Sequence, residues 1–146
     1  MVSYLVSLDI KTGSLSLSEL SSRLRIEPST GSFDKGTPRR WGRKKGTPVE
    51  HTLLRFESAA PEPAPLTEHF QSIFSSVSID LLRMFTKATD DWEIWFTIGM
   101  MFSVEEMPYP ELTIPPECVQ MLNGNGIGID ITLYPSSEAA SASDAR

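Results

Sequence analysis

This chain has little of the side-chain chemistry that reactions and metals require. It holds one cysteine, Cys118, and two histidines, His51 and His69, in 146 residues. A single cysteine excludes an internal disulfide framework and suits a reducing cytosol, so the expected setting is cytoplasmic. A structural zinc site takes four ligands at close paired spacing, and these three residues offer no such pairing. No glycine-rich phosphate motif is present either; Lys35-Gly36-Thr37 lacks the upstream glycine of a Walker sequence, and no cofactor is implied. Long apolar runs are missing. The longest, Trp95 to Phe102, falls far short of the roughly 20 residues that span a bilayer, so no membrane partner is expected. Met1-Val2-Ser3-Tyr4-Leu5 has no basic flank and Asp9 soon interrupts it, unlike a secretory signal.

What the chain does have is an ordinary globular mix, with 40 % hydrophobic residues, and a length suited to one domain with a real core. Its net charge of −6 works against wholesale nucleic-acid binding. Against that background, six of the 13 basic residues fall between Lys35 and Lys45. They are Lys35, Arg39, Arg40, Arg43, Lys44 and Lys45, set around Trp41. Arginine forks suit phosphate and carboxylate, and an exposed indole can stack on a ring. The competing reading is a solvated loop, or one folded back on the protein's own acidic surface with Trp41 buried as an anchor.

The pattern along the chain predicts alternating elements. Val2 to Ile10 alternates as a strand with Tyr4, Val6, Leu8 and Ile10 on one face. Ser16-x-x-Glu19 is a capping-box pattern that opens a short helix through Leu17, Leu20 and Leu24 to about Arg25. Ser29 to Pro48 reads as a long loop, which inside a compact domain is either functional or mobile. Val49 to Glu57 reads as a second strand, with His51, Leu53 and Arg55 opposite Thr52, Leu54 and Phe56. Leu66 to about Val77 carries an apolar helical stripe, and Ser78 to Thr89 a further helical turn or two. Trp92 to Phe102 reads as a central strand, apolar on both faces, with Trp92, Ile94, Phe96 and Ile98 against Trp95, Met100 and Phe102. Pro115-Pro116-Glu117 opens a short helix stopped at Asn123-Gly124. Gly128 to Tyr134 is the last strand. The expected fold is α+β: a small mixed or antiparallel sheet of about four strands with two to three helices packed on it. Residues 1–134 form the single domain, and 135–146 read as a disordered tail.

Several short motifs carry a resemblance. Leu24-Arg25-Ile26-Glu27-Pro28-Ser29 closes the first helix, and Lys35-Gly36-Thr37-Pro38 follows. Later come Leu66-x-x-His69-Phe70, the apolar strand from Trp92, the Pro115-Pro116 helix start and the closing Ile129-Asp130-Ile131. In these the chain resembles the bacterial family known as domain of unknown function 4279, over nearly all of its length to about Tyr134. Where members tend to carry a tryptophan after the basic loop, this chain has His51-Thr52-Leu53. The resemblance implies a small, free-standing cytosolic α+β domain of a bacterium; it transfers no activity and no catalytic residues.

Other clusters have plainer readings. Asp90, Asp91 and Glu93 at one end of the central strand, and Glu105 and Glu106 at the other, act as solubilising turns. Cys118 reads as a small buried hydrophobe, although a helix N-terminus could activate a thiol and a His–Cys dyad would need the fold to assemble it. The exposed, partly apolar Met107-Pro108-Tyr109-Pro110 loop is a candidate protein contact through Met107 and Tyr109. No catalytic set is read. The expectation is a non-enzymatic binding module that meets another protein, with immunity proteins that neutralise toxins as an analogy. The alternatives are a nucleic-acid, nucleotide or anion binder using the basic stretch, and an enzyme with a cleft built from Asp91, Glu93, His51 or Cys118.

Overall fold

Apolar residues at alternate positions of the first and central strands make a face that helices must cover, and the computed structural model, which describes residues 2–137, shows how. The element order is β1 (Ser3–Thr12), α1 (Leu17–Leu24), β2 (Thr52–Glu57), α2 (Leu66–Ser76), α3 (Ile79–Ala88), β3 (Glu93–Ser103), α4 (Pro116–Gly124) and β4 (Gly128–Ser136). The strands form one sheet in the order β2-β1-β3-β4. β1 is antiparallel to β2 (Asp9 opposite Arg55) and to β3 (Leu8 opposite Phe96). β3 and β4 are parallel (Ile98 opposite Ile131) and are joined by a crossover through α4. The result is an α+β fold on a mixed sheet.

Val6, Leu8 and Ile10 of β1, Leu54 of β2 and Ile94, Phe96 and Ile98 of β3 form the buried face. Leu20 and Leu24 of α1, Ile73 of α2, Leu82 and Phe85 of α3 and Leu122 of α4 close over it. Each such side chain contributes roughly 1.5–3 kcal/mol on burial. Met100 and Phe102 lie on this same face, since strand side chains alternate with period two; the grouping with Trp95 expected from the sequence is wrong. The opposite face carries Leu5, Ser7, Asp9, Trp95, Thr97 and Tyr134. It is only partly apolar, and Leu5, Trp95 and Tyr134 are exposed.

The four helices among the described residues exceed the two to three expected, because the stretch from Ser78 to Thr89 holds a full helix, Ile79–Ala88, rather than a turn or two. Ser78 caps α3 by accepting the Leu81 amide at 3.2 Å, and Asp80 and Lys87 complement the helix ends. The Ser16–Glu19 pair caps α1 as expected, with the Glu19 amide on Ser16 Oγ at 3.2 Å and Ser16 Oγ on Glu19 Oε1 at 3.1 Å. α4 ends at Gly124 as expected, but the left-handed residue comes two positions later, at Gly126 with φ 69°. β4 runs two residues past Tyr134, through Pro135 and Ser136. Of the rest of the expected tail, residues 138–146 lie outside the described residues.

A basic hairpin over an arginine-lined cleft

Residues 29–50 are an ordered excursion and not a plain loop. Their first part runs along the outer edge of β2: the Ser29 amide donates to Arg55 O at 2.8 Å, and Phe33 and Leu53 exchange two hydrogen bonds of 2.9 Å. The chain then turns out into a hairpin. Gly36 N donates to Val49 O, Val49 N to Thr37 O, Arg39 N to Thr47 O and Gly46 N to Arg39 O, each at 2.9 Å. Pro38 lies opposite Pro48. Proline has no amide to give, so the ladder is built from alternate residues only. The backbone demands of the stretch are thus met within the hairpin, which frees its side chains.

The tip presents those side chains to solvent. Trp41 is 85 % exposed, and Arg40, Arg43, Lys44 and Lys45 are exposed. Among the described residues, none of these cations forms an ion pair; the ion pair present is Arg55 with Asp9. The hairpin therefore does not fold back on the acidic surface, and Trp41 is no internal anchor. Lys35 is the exception, spending its Nζ on Gly13 O at 3.2 Å. With the six positive charges of residues 35–45 set aside from a net of −6, the remainder of the chain stands at −12. Charge is strongly segregated onto one protrusion.

Between hairpin and sheet lies an open cleft of about 840 Å³. Leu17, Phe33, Pro38 and Val49 make its apolar part; Arg39, Arg40 and Trp41 border it on the hairpin side, and Arg55 on the sheet side. The Arg39 Nε is buried and has no hydrogen-bond partner among the described residues. A buried donor without an acceptor costs on the order of 1–3 kcal/mol, more when charged. Asp34, also in the cleft, is occupied: its Oδ1 accepts the Leu17 amide at 2.6 Å, at the start of α1.

Arg55 is the member that the basic stretch did not reveal. It pairs with Asp9 in a two-pronged contact, Nε to Oδ1 and Nη2 to Oδ2, both 3.0 Å. Asp9 is buried and also accepts Ser7 Oγ at 3.0 Å and Thr97 Oγ1 at 3.2 Å. The hydrogen bond to Asp9 raises the Arg55 pKa further, against the lowering effect of its burial. Gly31, at φ 97°, leaves room for the guanidinium to approach, since a Cβ there would sit 3.2 Å from Nη1. Nη1 itself is left without a protein acceptor among the described residues. Register could have found this pair: Asp9 and Arg55 are cross-strand partners on the uncovered face.

The other sequence-derived candidates fall elsewhere. Tyr109 is 87 % exposed, while Met107 is half-buried with its amide on Ser103 O at 2.8 Å. They follow the end of β3 near Met101, opposite Ser3, whereas the hairpin enters β2 at Thr52, opposite Thr12 at the far end of β1. The two patches do not form one surface. Cys118 is buried in α4, and burial together with Glu117 pushes its thiol pKa up, the reverse of an activated nucleophile. His51 is exposed and His69 buried in α2; among the described residues no group of three or more His, Cys, Asp or Glu is gathered around a point. Asp91 accepts the Gly13 amide at 2.8 Å and so ties down the β1–α1 turn.

The fold and the hairpin together define a class: a small α+β domain on a four-stranded mixed sheet, with a basic protrusion beside an arginine-lined cleft. No family model matches the chain, and neither the curated proteins nor the solved structures yield a significant match. No helix among the described residues is long and apolar enough to cross a membrane.

Proposed function

We propose that this chain is a non-enzymatic binding module whose hairpin and cleft take an acidic segment of another protein. The observation that carries the reading is Arg39, whose buried Nε lacks an acceptor among the described residues, in a cleft it shares with Arg40, Arg55 and Trp41. A carboxylate of a partner supplies what that site is missing, through a charge-assisted hydrogen bond. Arginine and tryptophan are also the residues on which binding energy concentrates at protein interfaces. The apolar side of the cleft accepts the carbon stem of the acidic residue or a flanking hydrophobe. A protein surface is favoured over nucleic acid by the charge balance. A long polyanion running past the tip would meet a body of strong negative charge, while an acidic segment confined to the tip and cleft does not. The setting we propose is the bacterial cytoplasm that the resemblance implies, where toxin-neutralising immunity proteins offer an analogy of scale and charge.

The test is a fluorescence-anisotropy titration with two probes of equal charge, an Asp/Glu-rich peptide containing an aromatic residue and a single-stranded oligonucleotide. The peptide is expected to bind more tightly, and the triple variant Arg39→Ala, Arg40→Ala, Trp41→Ala to lose at least about tenfold, or about 1.4 kcal/mol. Tighter oligonucleotide binding that falls steeply with salt would move the hairpin to nucleic-acid recognition. Absence of binding to either probe would return it to a solvated surface.

A further inference from the structure

One other buried side-chain atom lacks a partner among the described residues, the His69 Nε2, and it belongs to a different place. Beyond Glu57 the chain keeps following β1, with the Ser58 amide on Val6 O at 2.9 Å. Continuing the β1–β2 register would bring Ala60 opposite Tyr4. The Tyr4 amide instead donates to Glu62 O at 2.8 Å, so the chain loops outward between Ser58 and Glu62 and opens the sheet edge. A cavity of about 340 Å³ lies at this opening. It reaches from the uncovered sheet face, at Ser7, Thr97 and Thr132, to Ser58 and His69 on the helix side.

The hydrogen bonds assign what each wall offers. Ser58 Oγ accepts the Ala60 amide at 3.1 Å and lies 2.9 Å from His69 Nδ1. The arrangement that also uses the serine proton places it on Nδ1, which leaves Nε2 as an N–H donor. Ser7 and Thr97 give their hydroxyl protons to Asp9, so their remaining capacity is to accept. The Arg55 charge is balanced by Asp9, while Glu57 and Glu62 add negative charge to the rim. Tyr134 supplies an aromatic wall, its ring 3.1 Å from where a Cβ on Gly99 would stand. One donor and several acceptors thus surround an aromatic surface, and the local charge disfavours anions.

We infer that this cavity is a site for a small uncharged polyhydroxylated molecule, a monosaccharide or cyclic polyol. Hydroxyl groups both accept from His69 Nε2 and donate to Ser7, Thr97 and the glutamates, and one sugar face stacks on Tyr134. The volume falls in the usual range for small-molecule sites. The inference does not rest on the hairpin reading, although Arg55 borders both sites.

The experiment is an NMR titration of the isotopically labelled protein with D-glucose, D-galactose, D-ribose and myo-inositol to millimolar concentration, with inorganic phosphate as an anionic control. At least one of the four is expected to give saturable shifts at the His69 ring and at Thr97, Thr132 and Tyr134. The variant Thr132→Trp, which fills the mouth from an exposed strand position, is expected to weaken the response at least tenfold while keeping the wild-type circular dichroism spectrum. His69→Gln, which retains a side-chain N–H, is expected to keep more of the response than His69→Phe; since His69 is buried, Thr132→Trp decides the matter if both misfold. No shift with any of the four sugars and polyols would leave the cavity to water and overturn the inference. So would shifts that persist in Thr132→Trp, or a response to phosphate alone.

Discussion

The Asp9 carboxylate is the place where a one-atom change should cost most for its size. All four of its neighbours donate to it: Ser7 Oγ, Thr97 Oγ1 and the Nε and Nη2 of Arg55. In Asp9→Asn the shape is kept, but one oxygen becomes an NH₂ that faces donors. Thr97 or Ser7 can rotate its hydroxyl to accept; the guanidinium cannot. The variant therefore loses at least one arm of the ion pair and leaves a cation short of its partner. Breaking a fully buried pair costs about 3–5 kcal/mol, and an exposed pair is worth about 0–1 kcal/mol. Asp9 is 9 % exposed at its side chain but Arg55 is 35 % exposed and can turn part of its charge to water. The expected loss lies between these limits, at about 2–3 kcal/mol. With a urea dependence of about 1.5 kcal/mol per molar, that lowers the unfolding midpoint by about 1.3–2 M. The companion variant Arg55→Met and the double variant complete a cycle. If the pair is the source of the loss, the double variant is at least about 1 kcal/mol more stable than the two single losses added together. A loss below about 0.5 kcal/mol for Asp9→Asn, or simple additivity, would refute the reasoning and make the contact a solvated decoration of the sheet.

Three further outcomes follow from named positions. Trp41→Ala is expected to leave the thermal midpoint within experimental scatter, because the side chain has almost no internal contact to lose, while weakening the acidic-peptide binding proposed above; a marked drop in stability would show that Trp41 packs on the body. Gly126→Ala should cost about 1–2 kcal/mol in chemical denaturation, from a left-handed backbone at φ 69° and a Cβ only 2.9 Å from the Trp92 ring; a neutral result would place the α4 stop elsewhere. For Cys118 the folded-state pKa is raised, so its contribution to stability is full below the unfolded thiol pKa and declines as pH climbs through the folded one. The midpoint should fall above about pH 9 more in wild type than in Cys118→Ala, and a thiol reagent at neutral pH should react with the unfolded chain far faster than with the native one. Rapid labelling of the native protein would contradict the burial of α4 against the sheet.

How much of this was legible in the residues varies by element. The face of β1, the faces of β2, the capping box at Ser16 and Glu19 and the proline start of α4 all follow from local rules that the chain obeys. The helix from Ile79 to Ala88 was under-read because its signals, a Ser78 cap and Leu82 and Phe85 on one stripe, are spread among exposed residues such as Met84. The face of Met100 and Phe102 follows from parity alone: the even positions of β3 from Ile94 to Phe102 share the buried side, and no tertiary rearrangement moves them.

By itself, then, the sequence determined the element order, the apolar faces and the concentration of charge between Lys35 and Lys45, because propensity, periodicity and charge are local properties. Tertiary structure alone decided the rest. The parallel pairing of β4 with β3 arises from the crossover through α4. The ordering of residues 29–50 depends on the outer edge of β2, which offers Leu53 and Arg55 as backbone partners. The meeting of Arg55 with Asp9, 46 residues apart, and the unpartnered nitrogens of Arg39 and His69 depend on which segments the sheet brings side by side. A linear pattern specifies which groups a chain carries; only packing determines which of those groups are satisfied and which are left open for something else to bind.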